Sequence, residues 1–203
     1  MKNERQLVLF LKKGSKFNQT QVAAKINEKF EELGNPAILP VNDKNPMQPL
    51  IIFNQGIMNI TMNYNDVSFI FLEENFEKCF NLIIDIMDLL DDLSFDFVRL
   101  GYVSTYIGNA LERNNFKDKM FKDDSILKED FQLAWYSKTT IDSVLVNVWE
   151  RHFTDFVANV EFVSIFDINT PIDEEYNVSC EFVEDFLKKC DLFIKKKMEN
   201  MLK

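Results

Sequence analysis

A chain of 203 residues with 46% hydrophobic side chains can bury a sizeable core without help from disulfides or a structural metal. Twenty phenylalanines against five glycines and five prolines give that core large flat side chains and the chain few hinges, which argues against disorder. The net charge of −10 repels phosphate, so broad direct nucleic-acid binding is excluded, and protein partners or small molecules remain.

The N-terminal apolar run, Leu7 to Leu11 in "RQLVLFLKK", is too short for a signal-peptide core or a membrane span. It reads as a buried strand, and the chain is expected to be cytoplasmic with no membrane association. Val22, Ala23, Ile26, Phe30 and Leu33 then recur at helical spacing, predicting a helix from about Gln19 to Leu33. Asn18 is its expected N-cap, Gly34 suits a left-handed stop and Pro36 forbids continuation.

Three short strand signals follow a proline-containing loop: "LIIFN", "IMNITMNY" and "VSFIFLE". Met58, Ile60, Met62 and Tyr64 alternate with polar residues, which predicts one buried and one wet face. An antiparallel meander is expected, with turns at Asn54 to Gly56 and at Asn63 to Asp66.

The densest charge lies next, since residues 71 to 100 carry two basic and eight acidic side chains, a net −6. Within it "IIDIMDLLDDLSFD", residues 83 to 96, holds five aspartates. On a helix the apolar set from Phe76 to Leu93 falls on one broad arc, and Glu77, Lys78, Asn81, Asp85, Asp88, Asp91 and Asp92 fall opposite, with Ile84 alone misplaced. The aspartates therefore mark a solvated face. A carboxylate pair for acid–base work would need a low-dielectric pocket, and a helical di-metal site would need a Glu-x-x-His pattern that the chain lacks. A row made of Asp88, Asp91, Asp92 and Asp96 can still meet a basic partner.

The pattern then repeats. "FDFVRLGYVSTYI" is strand-like, "ALERNNFKDKMFKDD" is a poorer helical or irregular segment, and "EDFQLAWYSKT", "SVLVNVWERHF" and "VANVEFVSIFDIN" are strand signals. A long helix closes the chain, with Ser179 as N-cap and Lys195, Lys196 and Lys197 in its last turn. The expected fold is α+β, an antiparallel sheet or sheets with helices packed on one side. The recurring strand, helix, three strands, helix order divides a single domain, 1–203, into candidate halves 1–95 and 96–203. TATA-binding-protein-like and helix-grip folds are similar in element order, which implies nothing about function.

Cys79, Cys180 and Cys190 form no CxxC pair, and His152 is the sole histidine, so neither a disulfide framework nor a zinc site is expected, and no cofactor is implied. Cys79 and Cys190 read as core filler. His152 is expected to be a partly exposed strand residue beside Glu150 and Asp155. Arg99 is expected to pair with a carboxylate, and Gly101 to permit a bulge or the close approach of a helix. No GxSxG, P-loop, GxGxxG or HExxH pattern occurs.

At "FVRLGYVSTYI", an Arg-hydrophobic-Gly-hydrophobic strand lies in mid-chain, after a meander and helix and before a second block of strands. This arrangement resembles a sporadically distributed family of uncharacterised bacterial proteins. The resemblance implies no activity and no site residue. The leading expectation is a non-catalytic acidic binding protein of bacterial or phage type that contacts a protein with a basic surface. Its sharpest form is an inhibitor or nucleic-acid mimic in a defence or counter-defence setting, with Asp88, Asp91, Asp92 and Asp96 as partner-binding residues. The alternative is a carrier of a small apolar ligand, with a cavity between the sheet and the C-terminal helix.

Overall fold

Alternating side chains build the first strand: Arg5, Leu7, Leu9 and Leu11 are buried, while Gln6, Val8 and Phe10 between them are only half-buried, as a pleated strand with one packed face requires. The computed structural model describes residues 3–42, 44–121, 131–155 and 160–202. In chain order the elements are β1 (Glu4–Leu11), α1 (Gln19–Lys29), β2 (Ala37–Ile38), β3 (Ile51–Phe53), β4 (Met58–Met62), β5 (Asp66–Leu72) and α2 (Phe76–Asp92). After these come β6 (Phe97–Gly108), α3 (Ala110–Met120), β7 (Gln132–Ile141), β8 (Val144–Asp155), β9 (Val160–Asn169) and α4 (Cys180–Leu202).

All nine strands join one open antiparallel sheet in the order β2-β3-β4-β5-β1-β6-β9-β8-β7. The first strands of the two halves, β1 and β6, pair at its centre, with Leu7 opposite Tyr102 and Val8 opposite Gly101. Outward from that seam each half adds its own meander in the same sense, β5-β4-β3 on one side and β9-β8-β7 on the other. The fold is α+β; the first half carries one strand more than expected, the two-residue β2 at the sheet edge, and the other strands of the two halves are arranged alike around the β1/β6 seam.

One apolar cluster joins the helix-facing side chains of both halves, including Leu7, Leu9, Phe69, Tyr102, Val148 and Phe166, to the buried faces of all four helices. Each fully buried Leu or Phe contributes roughly 1.5–3 kcal/mol by leaving water. Among the described residues no helix covers the opposite face of the sheet. There Arg99 stacks over the Phe10 ring at 4.6 Å, and Tyr136 and Trp149 pack together at 4.8 Å with about half of each exposed, 49% and 50%.

Several local expectations change. The first helix ends at Lys29, and a single 3-10 turn, Glu31–Leu33, carries Leu33 into the core before Gly34 turns the chain at φ +71°. The segment expected to be a poor helix is a regular one, α3. Its Asn109 side chain accepts from the Glu112 amide at 3.1 Å while Glu112 accepts from the Asn109 amide at 2.9 Å, a reciprocal capping box that satisfies two otherwise orphaned donors. The lysines expected in the last turn of α4 lie before it, because Met198 and Met201 extend the buried stripe and the helix runs to Leu202. Positions 122–124, 129–130 and 157–159, parts of expected segments, lie outside the described residues.

Two further residues depart from expectation. Arg99 stacks on Phe10 and donates to the Thr170 carbonyl at 3.3 Å; the expected neighbouring carboxylate, Asp173, acts on it through charge, without an ion-pair contact among the described residues. Gly101 admits neither a bulge nor a helix; a Cβ there would collide with the Asn169 side chain on the open face.

Candidate functional site

The amphipathic pattern of α2 places the aspartates as expected. Cys79, Phe80, Leu82, Ile83, Ile86, Met87 and Leu90 are buried, and Asp85, Asp88, Asp91 and Asp92 are exposed. Among the described residues no basic side chain forms an ion pair with Asp88, Asp91 or Asp92, whereas Asp96 forms an exposed ion pair with Lys12 at 3.4 Å. A groove of about 390 Å³ separates this end of α2 from the start of α4, and Asp88, Asp91, Asp96 and Glu181 border it over Met87, Phe95 and Val178. Asp92 stands outside that groove, so the structure brings together three of the four expected partner-binding residues.

Cys180 lies at the same place. Its thiol donates to Asp88 Oδ1 at 3.0 Å, and burial, followed by the adjacent Asp88 and Asp91 carboxylates, pushes its pKa up to about 12. Burial likewise raises Cys79 to about 11 and Cys190 further. All three thiols are therefore protonated near neutral pH, a weakly nucleophilic state.

A second polar cluster sits where β1 and β6 pass under α4. Arg5, buried on the helix-facing side, donates to Ser104 Oγ at 2.5 Å and pairs with Glu73 at 2.9 Å, with Asp191 at 3.6 Å. Asn3 donates to Glu73 at 2.7 Å, and Lys195 holds Asp191 at 2.7 Å. Alongside is a cavity of about 290 Å³, bordered by Arg5, Ser104 and Tyr106 from the strands and by Ile194, Met198 and Leu202 from α4. Arg5 Nε and the Tyr102 hydroxyl are buried without a hydrogen-bond partner among the described residues. Burial raises the Tyr102 pKa, so the phenol stays neutral.

The third cluster corrects the expectation for His152, which is 0% exposed and faces the helices. Its ring lies 4.8 Å from both Phe116 and Trp135. Nδ1 shares a hydrogen bond with Ser164 Oγ at 2.7 Å, and Nε2 is 4.0 Å from Glu150 Oε2. Lys197 of α4 reaches down to Glu150 Oε1 at 2.9 Å. Burial first, and then the Lys197 charge, lower the His152 pKa to about 4. Serine, histidine and glutamate stand in the order of a hydrolytic triad, but His152 Nε2 and Glu150 Oε2 have no hydrogen-bond partner among the described residues. Here all three side chains are 0% exposed, so in this fold no substrate atom can meet the Ser164 hydroxyl.

These two inward-facing clusters carried a signal in the sequence. Arg5 alternates with Leu7, Leu9 and Leu11, Glu150 and His152 with Val146 and Val148, and Ser164 with Phe162 and Phe166. A polar residue in register with a buried set must face the core and find a partner there. Among the described residues, no group of three or more histidine, cysteine or carboxylate side chains is placed to hold a metal ion. No described helix is long and apolar enough to cross a membrane. Comparison with protein-family models gives no match, and a search of curated proteins finds no relative.

Proposed function

We propose that the chain is a non-catalytic binding protein that contacts another protein through the acidic surface of its helical layer. The observation that carries this reading is the state of Asp88, Asp91 and Asp92, which are exposed on α2 and form no ion pair among the described residues. Carboxylates left unneutralised on a rigid helix create a local negative potential that attracts and orients a basic surface. In its sharpest form the partner is a nucleic-acid-binding protein, inhibited because the carboxylates occupy its phosphate sites.

The test compares two baits in one bacterial lysate: the chain itself and a variant with Asp88, Asp91, Asp92 and Asp96 changed to lysine. Proteins bearing basic surfaces should be retained by the first and lost from the second, as identified by mass spectrometry. Equal retention by both baits removes the acidic surface from the function.

A second reading is favoured by the cavity of about 290 Å³ between β1, β6 and α4, which lies where a ligand carrier would hold its cargo. Native mass spectrometry of the purified chain decides it. A carrier retains a small apolar adduct, and adduct-free spectra remove the reading.

A further inference from the structure

The groove at the C-terminal end of α2 and the cavity beside Arg5 are the two ends of one feature. From the first, the lining passes through Ser179 and Glu181 into a stretch of about 580 Å³ bordered by Phe182, Glu184 and Lys188. Glu184 and Lys188 are shared with the next stretch, about 530 Å³, which runs over Phe76 and Phe80. Glu73 and Lys195 link that stretch to the cavity over Ile194, Met198 and Leu202. The trough therefore follows α4, whose 23 residues span about 35 Å. Its opposite wall is α2 in the first groove and in the stretch over Phe76 and Phe80, and the two helices run antiparallel, since Cys180 meets Ile84 and Asp88 whereas Lys188 lies near Glu77.

Charge and apolar surface are segregated along this trough. Carboxylates border every stretch, and among the described residues Arg5, Lys188 and Lys195 are the cations that oppose them. Each of those cations is already held by a carboxylate of the trough itself: Arg5 by Glu73, Lys188 by Glu184 at 2.5 Å, and Lys195 by Asp191. Apolar side chains enter each stretch, Phe182 alone in the second and Phe76 and Phe80, stacked 6.1 Å apart, in the third. Two antiparallel helices with apolar side chains between acidic rims match a third helix whose buried stripe is apolar and whose flanks are basic.

We infer that the trough between α2 and α4 is a docking site for a basic amphipathic helical segment of a partner protein. The inference rests on the proposed acidic binding role and names its partner class. Apolar residues at i, i+3, i+4 and i+7 of the incoming helix seat over Phe76, Phe80 and Met198, while its lysines or arginines meet Glu77, Asp91 and Glu181.

The test uses two synthetic peptides of identical composition, 18 leucine and lysine residues spanning about 27 Å as a helix. In one the leucines form a single helical stripe, and in the other they are dispersed around the helix. Titration calorimetry at 0.15 M salt should show the striped peptide binding at least about tenfold tighter. Nuclear magnetic resonance shifts should concentrate on Phe76, Phe80 and Ile194. Asn81→Trp, at an exposed position on the trough wall, should weaken the striped peptide by about tenfold and leave the dispersed one unchanged. If both peptides bind equally and Asn81→Trp changes neither, attraction is by charge alone, so the docking site falls while the acidic binding role stands. If neither peptide binds, both fall.

Discussion

At the scale of single residues, His152 makes the sharpest demand on the fold. The ring is enclosed by Phe116, Trp135, Phe162 and Phe166, and it stays neutral because burial and Lys197 hold its pKa near 4, below its ordinary 6.5. The unfolded chain protonates the same ring at its ordinary pKa, so unfolding takes up a proton between those values. The stability this gives is complete above about pH 6.5 and is lost as pH falls toward about 4, a total of about 3 kcal/mol. Asp66 and Asp167, both raised by burial, act in the opposite sense, because their folded forms hold protons more tightly than the unfolded chain does. Urea unfolding of the wild type and of His152→Phe at intervals from pH 7 to pH 4 separates them. The wild type should lose stability more steeply, and parallel curves would show that His152 is not the buried neutral ring described.

At the scale of elements, α2 divides its labour by face. The buried stripe holds the helix on the sheet, and the aspartates stand in water, so changing Asp85, Asp88, Asp91 and Asp92 together to asparagine should alter stability by no more than about 0.5 kcal/mol per site. Calorimetry checks this, and a substantially larger loss would mean that the carboxylates hold the fold. This face was legible in the sequence because helical periodicity over Phe76–Asp92 is nearly unbroken. The meander was legible for the parallel reason, since Met58, Ile60 and Met62 alternate and are all buried. The helix α3 could be read only as a poorer helical or irregular segment because its apolar stripe is reduced to Phe116 as the one fully buried residue. The usable signal was Asn109 followed three places later by Glu112, a capping box rather than a stripe. The acidic row was readable as composition, whereas the trough beside it was not. A trough needs α4 laid antiparallel along α2, and that contact joins residues about a hundred positions apart through the order of the sheet.

At the scale of the whole molecule, the two halves meet at the β1/β6 seam and share one core, which fixes where their helices lie. The last helix of each half, α2 and α4, forms the acidic wall and floor of the trough, so the proposed binding surface is a product of the repeated topology rather than of either half. The measurement that reaches this account most directly is the association rate of the captured protein partner as a function of ionic strength. Raising salt from about 0.1 M to 1 M shortens the screening length from about 10 Å to about 3 Å. The wild type should then associate more slowly by an order of magnitude or more, and the variant with lysine at positions 88, 91, 92 and 96 should be slow at low salt and nearly insensitive to it. A wild-type rate that is unchanged by salt, with the charge-reversed variant equally fast, would contradict the account.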